Sequence, residues 1–285
     1  MADKFLKVEV DQAPDAKLPK RVSFSQMSLF QQCGLKYFFS YIDNWREPPT
    51  AALAAGSITH DVVERLYRLP NDERTLNKAI EILREYGPKF LAQPEYQKFA
   101  DDLNMKHSVR EAVENLFTVE DPTALVVQPE HLEMELNVEI NGVNFFGKVD
   151  RFTQDGSNRV TDYKTGKSPG KFVDGKLAQP YLYSLGYKVQ HDIDVDEVEL
   201  IYLNAKEVIR RQADWGQITK VGEDLAVMRA NSESSFSESV WDARVTKLCD
   251  YCSFQEVCAA RNPDAPKPGS QKSDEKLFSI GLLHK

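Results

Sequence analysis

The spacing of apolar residues changes character near the middle of the chain. In the first half it is helical. Within SFSQMSLFQQCGLKYFFSYI (23–42), apolar residues recur at helical spacing behind Ser25, a candidate N-cap. Pro48–Pro49 interrupts the pattern. Ile58, Val62, Leu66 and Leu69 form a stripe that predicts a helix over 57–69. Residues 73–118 read as largely helical, with breaks near Gly87–Pro88 and Pro94. In HLEMELNVEI (131–140) the period becomes two. Leu132, Met134, Leu136, Val138 and Ile140 fall on one face, and Glu133, Glu135, Asn137 and Glu139 on the other. Asn141–Gly142 is a two-residue hairpin signal, so 143–152 is the return strand. A turn holding Asp155–Gly156 leads to a third strand at 158–166. A helix at about 177–190, a strand at 196–204 and a helix at about 214–230 complete the pattern. No internal repeat is present.

This pattern divides the chain into an N-terminal arm (1–22), one domain (23–261) and a polar, Pro-rich segment (262–285) expected to be a mobile tail. Within the domain, 23–125 is mainly helical, 126–235 is α/β and 236–261 is cysteine-rich.

Composition changes the picture little. The 285 residues are 41% hydrophobic and 28% charged, with a formal net charge of −8. That charge argues weakly against a nucleic-acid partner. A metal site, however, needs clustered carboxylates, and the ions they hold reverse the local field. No stretch reaches the roughly 18–20 apolar residues that span a bilayer. The first twenty residues lack the apolar segment of a signal peptide. A cytoplasmic protein is expected, with Cys33, Cys249, Cys252 and Cys258 reduced and free to share a metal or cluster.

The hairpin fixes a candidate site. With Asn141 and Gly142 as the loop, Glu133 lies opposite Asp150, and Glu133, Glu135, Lys148 and Asp150 share the polar face. Asp162 and Lys164 share a face of the third strand. Asp162 joins Asp150 only if the intervening turn has an odd number of residues, such as 154–158, or a bulge. A clean two-residue turn would separate the aspartates. Carboxylates so placed can hold one or two Mg²⁺ or Mn²⁺ ions for phosphodiester hydrolysis, with Lys164 stabilising negative charge. Glu135 and Glu139 read as a solvated strand face.

GKVDRF…VTDYKTGK (147–167) resembles the RecB-like branch of the PD-(D/E)XK nucleases. Gly56-Ser-Ile-Thr-His60 upstream and Gln179-Pro-Tyr-Leu-Tyr183 downstream match the family's order, as do Cys33 before and Cys249-x₂-Cys252-x₅-Cys258 after. The resemblance covers roughly 23–258. It implies an α/β, restriction-endonuclease-like core: a mixed central sheet flanked by helices, with a helical N-terminal elaboration and a cluster staple. It implies that His60, Asp150, Asp162 and the Tyr163 main-chain carbonyl hold Mg²⁺ or Mn²⁺ and that Lys164 is catalytic. Glu133 is the match to the upstream acidic residue, with Glu135 as second choice. Gln179 and Tyr183 are implied to bind DNA or order the site. Pro180 departs from the motif and fits only in a first helical turn.

The one distant cysteine and the triplet resemble the [4Fe–4S] staple of AddB-type and CRISPR-adaptation nucleases, with structural Zn²⁺ as the alternative. Thr165-Gly-Lys-Ser168 lacks the first glycine of a phosphate-binding loop, so ATP binding is not expected. Lys164, Lys167, Lys171 and Lys176 form a basic run, of which Lys167 and Lys171 are candidate DNA contacts. The expected function is a metal-dependent exonuclease on single-stranded DNA or DNA ends in recombination, repair or DNA processing. A separate helicase or recombination protein is a possible partner. The alternative is a DNA-end-binding or CRISPR-adaptation-type subunit with weak or partner-dependent cleavage.

Overall fold

The computed structural model describes residues 4–284. Residues 1–3 of the arm and residue 285 of the tail lie outside it. In chain order the first half holds β1 (Lys4–Glu9), α1 (Phe24–Gln32), α2 (Gly34–Tyr37), β2 (Trp45–Arg46), α3 (Ala51–Tyr67), α4 (Leu76–Leu91) and α5 (Leu103–Val119). Next come β3 (Leu132–Ile140), β4 (Val143–Gln154), β5 (Asn158–Lys164), α6 (Val173–Lys176), α7 (Ala178–His191), β6 (Glu197–Tyr202) and β7 (Glu207–Gln212). The chain closes with α8 (Trp215–Glu238), β8 (Val240–Val245), α9 (Gln271–Ser279) and β9 (Leu283–His284). Among the described residues no helix is long and apolar enough to cross a membrane.

The chain divides into two compact units. One comprises 49–138 and 146–222. It is an α/β unit around a mixed five-stranded sheet of order β3-β4-β5-β6-β7. β4 and β5 are antiparallel, β5 and β6 parallel, and β6 and β7 antiparallel. Ile58, Val62 and Leu66 of α3 and Val109, Val113 and Leu116 of α5 bury against Tyr163 and Ile201, which pair across β5 and β6. On α7, Tyr187 stacks on Phe152 of β4 with ring centroids 3.9 Å apart.

The other unit comprises residues up to 48, the hairpin tip 139–145, and 223 onward. In it β1 pairs antiparallel with β8, and β2 with β9. Trp241, Tyr37, Phe38, Phe39 and Phe254 form an aromatic core, with Phe39 and Phe254 stacked at 4.7 Å. Val22 bridges to Phe145.

Several expectations differ from the structure. The first helix is capped by Ser23, not Ser25, in a capping box with Gln26. It breaks at Cys33, whose φ of −167° and ψ of 111° are extended. α3 starts well before residue 57, capped by Thr50. α4 runs through Pro88: the helix forgoes one hydrogen bond there and keeps Phe90 and Leu91 buried. The arm carries β1, and the segment expected as a mobile tail carries α9. Ser270 caps α9 and Leu277 is fully buried, so a mainly polar segment still supplies one apolar anchor.

Candidate metal centre and cysteine cavity

The turn between β4 and β5 decides the site. Gln154 pairs with Asn158, leaving the three residues Asp155, Gly156 and Ser157 as the loop, with Gly156 at φ +72°. The register Arg151↔Thr161, extended by one residue, sets Asp150 opposite Asp162 on one face. The odd turn required by the sequence is therefore present. Arg151, Thr161 and Tyr163 occupy the other face.

His60 reaches this face from α3. Its Nδ1 lies 3.4 Å from Asp150 Oδ2. One donor atom each from His60, Glu133 and Asp150 lie within 4.8 Å of one another, a spacing that one cation can bridge. Glu133 sits in a kink of β3, with φ +50°, and its Oε2 is 2.7 Å from Lys148 Nζ. The Tyr163 main chain enters through its N–H, which donates to Asp150 Oδ2 at 2.7 Å. Asp162, 2% exposed, is outside that trio. Its Oδ2 is ion-paired with Lys164 Nζ at 2.6 Å. Lys164 Nζ donates to Gln179 Oε1 at 3.0 Å, and Gln179 Nε2 donates to Tyr183 Oη at 3.0 Å. Pro180 stands in the first turn of α7, where a missing N–H is tolerated. Lys167 and Lys171 do not join this set. Lys167 lines a small cavity with Ser108 and Asn204, and Lys171 Nζ lies 5.4 Å from the Phe172 ring centroid.

Electrostatics follow from burial and carboxylate crowding. Burial opposes charge on His60, but Asp150, with Asp162 and Glu133, outweighs it and raises the imidazole pKa to about 9. Burial pushes Asp150 up, yet His60, the Tyr163 N–H and Lys164 hold it below the usual carboxylate range. Burial, then Asp150, raises Asp162 to about 6. Burial, then Asp150, also raises Glu133. Burial and the crowding of three carboxyls thus set these shifts, with His60, Lys148 and Lys164 as the opposing cations. An oxygen- and nitrogen-ligated divalent cation fits that donor set.

All four cysteines line one cavity of about 150 Å³ in the other unit. The sequence brings them there by two local features. Cys33 is the extended break between α1 and α2, and Gly34 lets α2 approach β8: a Cβ there would sit 3.1 Å from Asp242 O. Phe254, between Cys252 and Cys258, is fixed by its stack on Phe39. Among the described residues no three thiols come within 4.8 Å of one another. A single tetrahedral zinc, with Zn–S of about 2.3 Å, would need them roughly 3.8 Å apart.

Sequence reasoning did not single out Lys148 as a site residue, although it lies two positions before Asp150 on the same face. It also passed over the buried Arg151–Glu120 pair behind the site. Arginine next to a strand aspartate carries no signal of burial.

A family model for the PD-(D/E)XK nuclease superfamily matches residues 21–259. The chain belongs to that superfamily. Gene 69 protein of Mycobacterium phage D29 is 28% identical over 179 residues, covering 54% of this chain and 65% of that protein. The match thus spans just under two thirds of that relative's length. A crystal structure of a candidate exonuclease from Eubacterium rectale aligns over 88% of this chain and 91% of that one, with a TM-score of 0.47 and 12% identity.

Proposed function

We propose that this nuclease is a Mg²⁺- or Mn²⁺-dependent deoxyribonuclease, acting as an exonuclease on single-stranded DNA or DNA ends. The observation that carries the metal dependence is the meeting of His60, Glu133 and Asp150 within 4.8 Å, beside the buried Asp162 carboxylate. His60, Glu133, Asp150 and Asp162 would hold the cation. When bound, a divalent ion supplies Lewis-acid polarisation of the phosphate and neutralises developing charge. Lys164, fixed between Asp162 and Gln179, presents its ammonium to the phosphodiester oxygens. Gln179 and Tyr183 keep that ammonium in place. Lys167 and Lys171 lie just beyond Lys164 in sequence and contact the DNA backbone. The preference for strands or ends rests on the RecB-like motif order, as do a role in recombination or repair and a helicase partner.

The four cysteines are read as ligands of a [4Fe–4S] cluster. Their common cavity supports a shared metal group, and the pattern of one distant cysteine and a triplet supports the cluster over Zn²⁺. The protein would work in the cytoplasm, where thiols stay reduced.

Digestion of end-labelled single- and double-stranded DNA tests the function. Cleavage should require Mg²⁺ or Mn²⁺, stop with chelator, and release short products from ends. Inactivity on every substrate with metal present and iron bound would favour an end-binding subunit instead. Anaerobic purification should give a brown protein with iron and acid-labile sulfide. A colourless protein with one zinc would contradict the cluster.

A further inference from the structure

α3, α4 and α5 leave between them a groove of about 560 Å³, apart from the metal centre. Its floor is apolar: Ile58, Leu91, Met105 and Val109 line it. Arg84, Lys106 and Arg110 also line the groove, and no Asp or Glu does. This is an unusual concentration of positive charge on a chain of net charge −8. Arg110 is shared with Glu114, at 2.8 Å. Among the described residues Arg84 and Lys106 have no ion-pair partner.

We infer that this groove docks an acidic peptide segment of a partner protein, with apolar side chains on the floor and flanking carboxylates on Arg84 and Lys106. An apolar centre with a charged rim is the division of labour in peptide grooves. Single-stranded nucleic acid fits less well. It is held by stacking bases on aromatic side chains, and no aromatic residue lines the groove. The groove is also separate from the chemistry. Ile58 and His60 are two residues apart on α3 and so face opposite ways. A docked partner therefore leaves the carboxylates free, and the inference stands whether or not the chain cuts DNA.

Fluorescence anisotropy on the intact protein tests it. The probe is a labelled peptide of about 12 residues with leucines at helical i, i+3, i+4 and i+7 positions and glutamates elsewhere. Saturable binding with a Kd of about 10 µM is expected, weakening as salt rises. The double variant Arg84→Glu/Lys106→Glu should weaken it at least about tenfold, and so should Ala92→Trp, which fills the groove. All three positions are exposed, so circular dichroism should be unchanged in both variants. A polyglutamate peptide without leucine should not bind. Three results would overturn the inference: no saturation up to about 1 mM peptide, binding unmoved by either variant, or oligo(dT) displacing the peptide and losing affinity in the same variants.

Discussion

Arg151 follows Asp150 in β4 but faces the opposite side of the sheet, and replacing it with Met isolates what holds that strand pair together. Its side chain is fully buried. Nη1 and Nη2 donate to the two oxygens of Glu120, both at 2.9 Å, and Glu199 Oε1 lies 3.7 Å away. Tyr163 Oη donates to Glu120 Oε1 at 2.8 Å, so the pair grips the strand that carries Asp162 and Lys164. Although burial pushes the Glu120 carboxyl up, Arg151 keeps it below its ordinary pKa. Without the guanidinium, Glu120 is an uncompensated buried charge, a loss of about 3–5 kcal/mol. Its escape is protonation, which at pH 7 costs about 4 kcal/mol for a carboxyl of ordinary pKa near 4.3. The expected loss for Arg151→Met at pH 7 is therefore about 3–4 kcal/mol. It should shrink by about 1.4 kcal/mol per unit as pH falls from 7 towards 5. The sign is the same from both sides. In the wild type the lowered Glu120 pKa contributes stability that is lost as pH falls. In the variant a raised pKa leaves stability intact in acid and removes it as pH rises. Urea unfolding from pH 5 to 7 measures this, and Glu120→Gln added to Arg151→Met should restore at least half. A loss under about 1 kcal/mol at pH 7, or one independent of pH, would mean that Arg151 does not hold Glu120 ionised.

Inserting one alanine between Val160 and Thr161 keeps the Asp155–Ser157 loop but shifts Asp162 by one register position, to the face opposite Asp150; cleavage should fall at least about 100-fold. Asp43 is pushed up to about 6, by burial first and then by Asp274, with His284 and Trp45 opposing. The fold therefore loses stability as pH rises from about 4 to 6, by at most about 3 kcal/mol. Asp43→Asn should raise the melting temperature at pH 7 and leave it nearly unchanged at pH 4, as scanning calorimetry would read.

Much of the site was legible because strand periodicity is strict. Asn141–Gly142 anchored one strand pair, and the shared face of Asp162 and Lys164 demanded an odd turn that Asp155–Ser157 supplies. The Gln179–Tyr183 spacing put Gln179 on Lys164 and Tyr183 on Gln179 from one helix face. Other features carried no periodic signal. β7 buries only Ile209, and Val208 beside it is exposed, so no alternation marks it as a strand. α3 opens with alanines, too weakly apolar to extend the stripe back to Thr50. The positive φ of Glu133 belongs to a strand kink that an alternating pattern conceals. The hairpin tip 139–145 clusters with the termini, a long-range grouping that no local pattern encodes.

The most direct measurement is the single-turnover cleavage rate of an end-labelled oligonucleotide in Mn²⁺, for the wild type and for Asp150→Ala, Asp162→Ala and Lys164→Ala, alongside their affinity for the same oligonucleotide. Each variant should bind within a few-fold of wild type and cleave at least about 100-fold more slowly. A wild-type cleavage rate in any of the three would remove that residue from the catalytic centre.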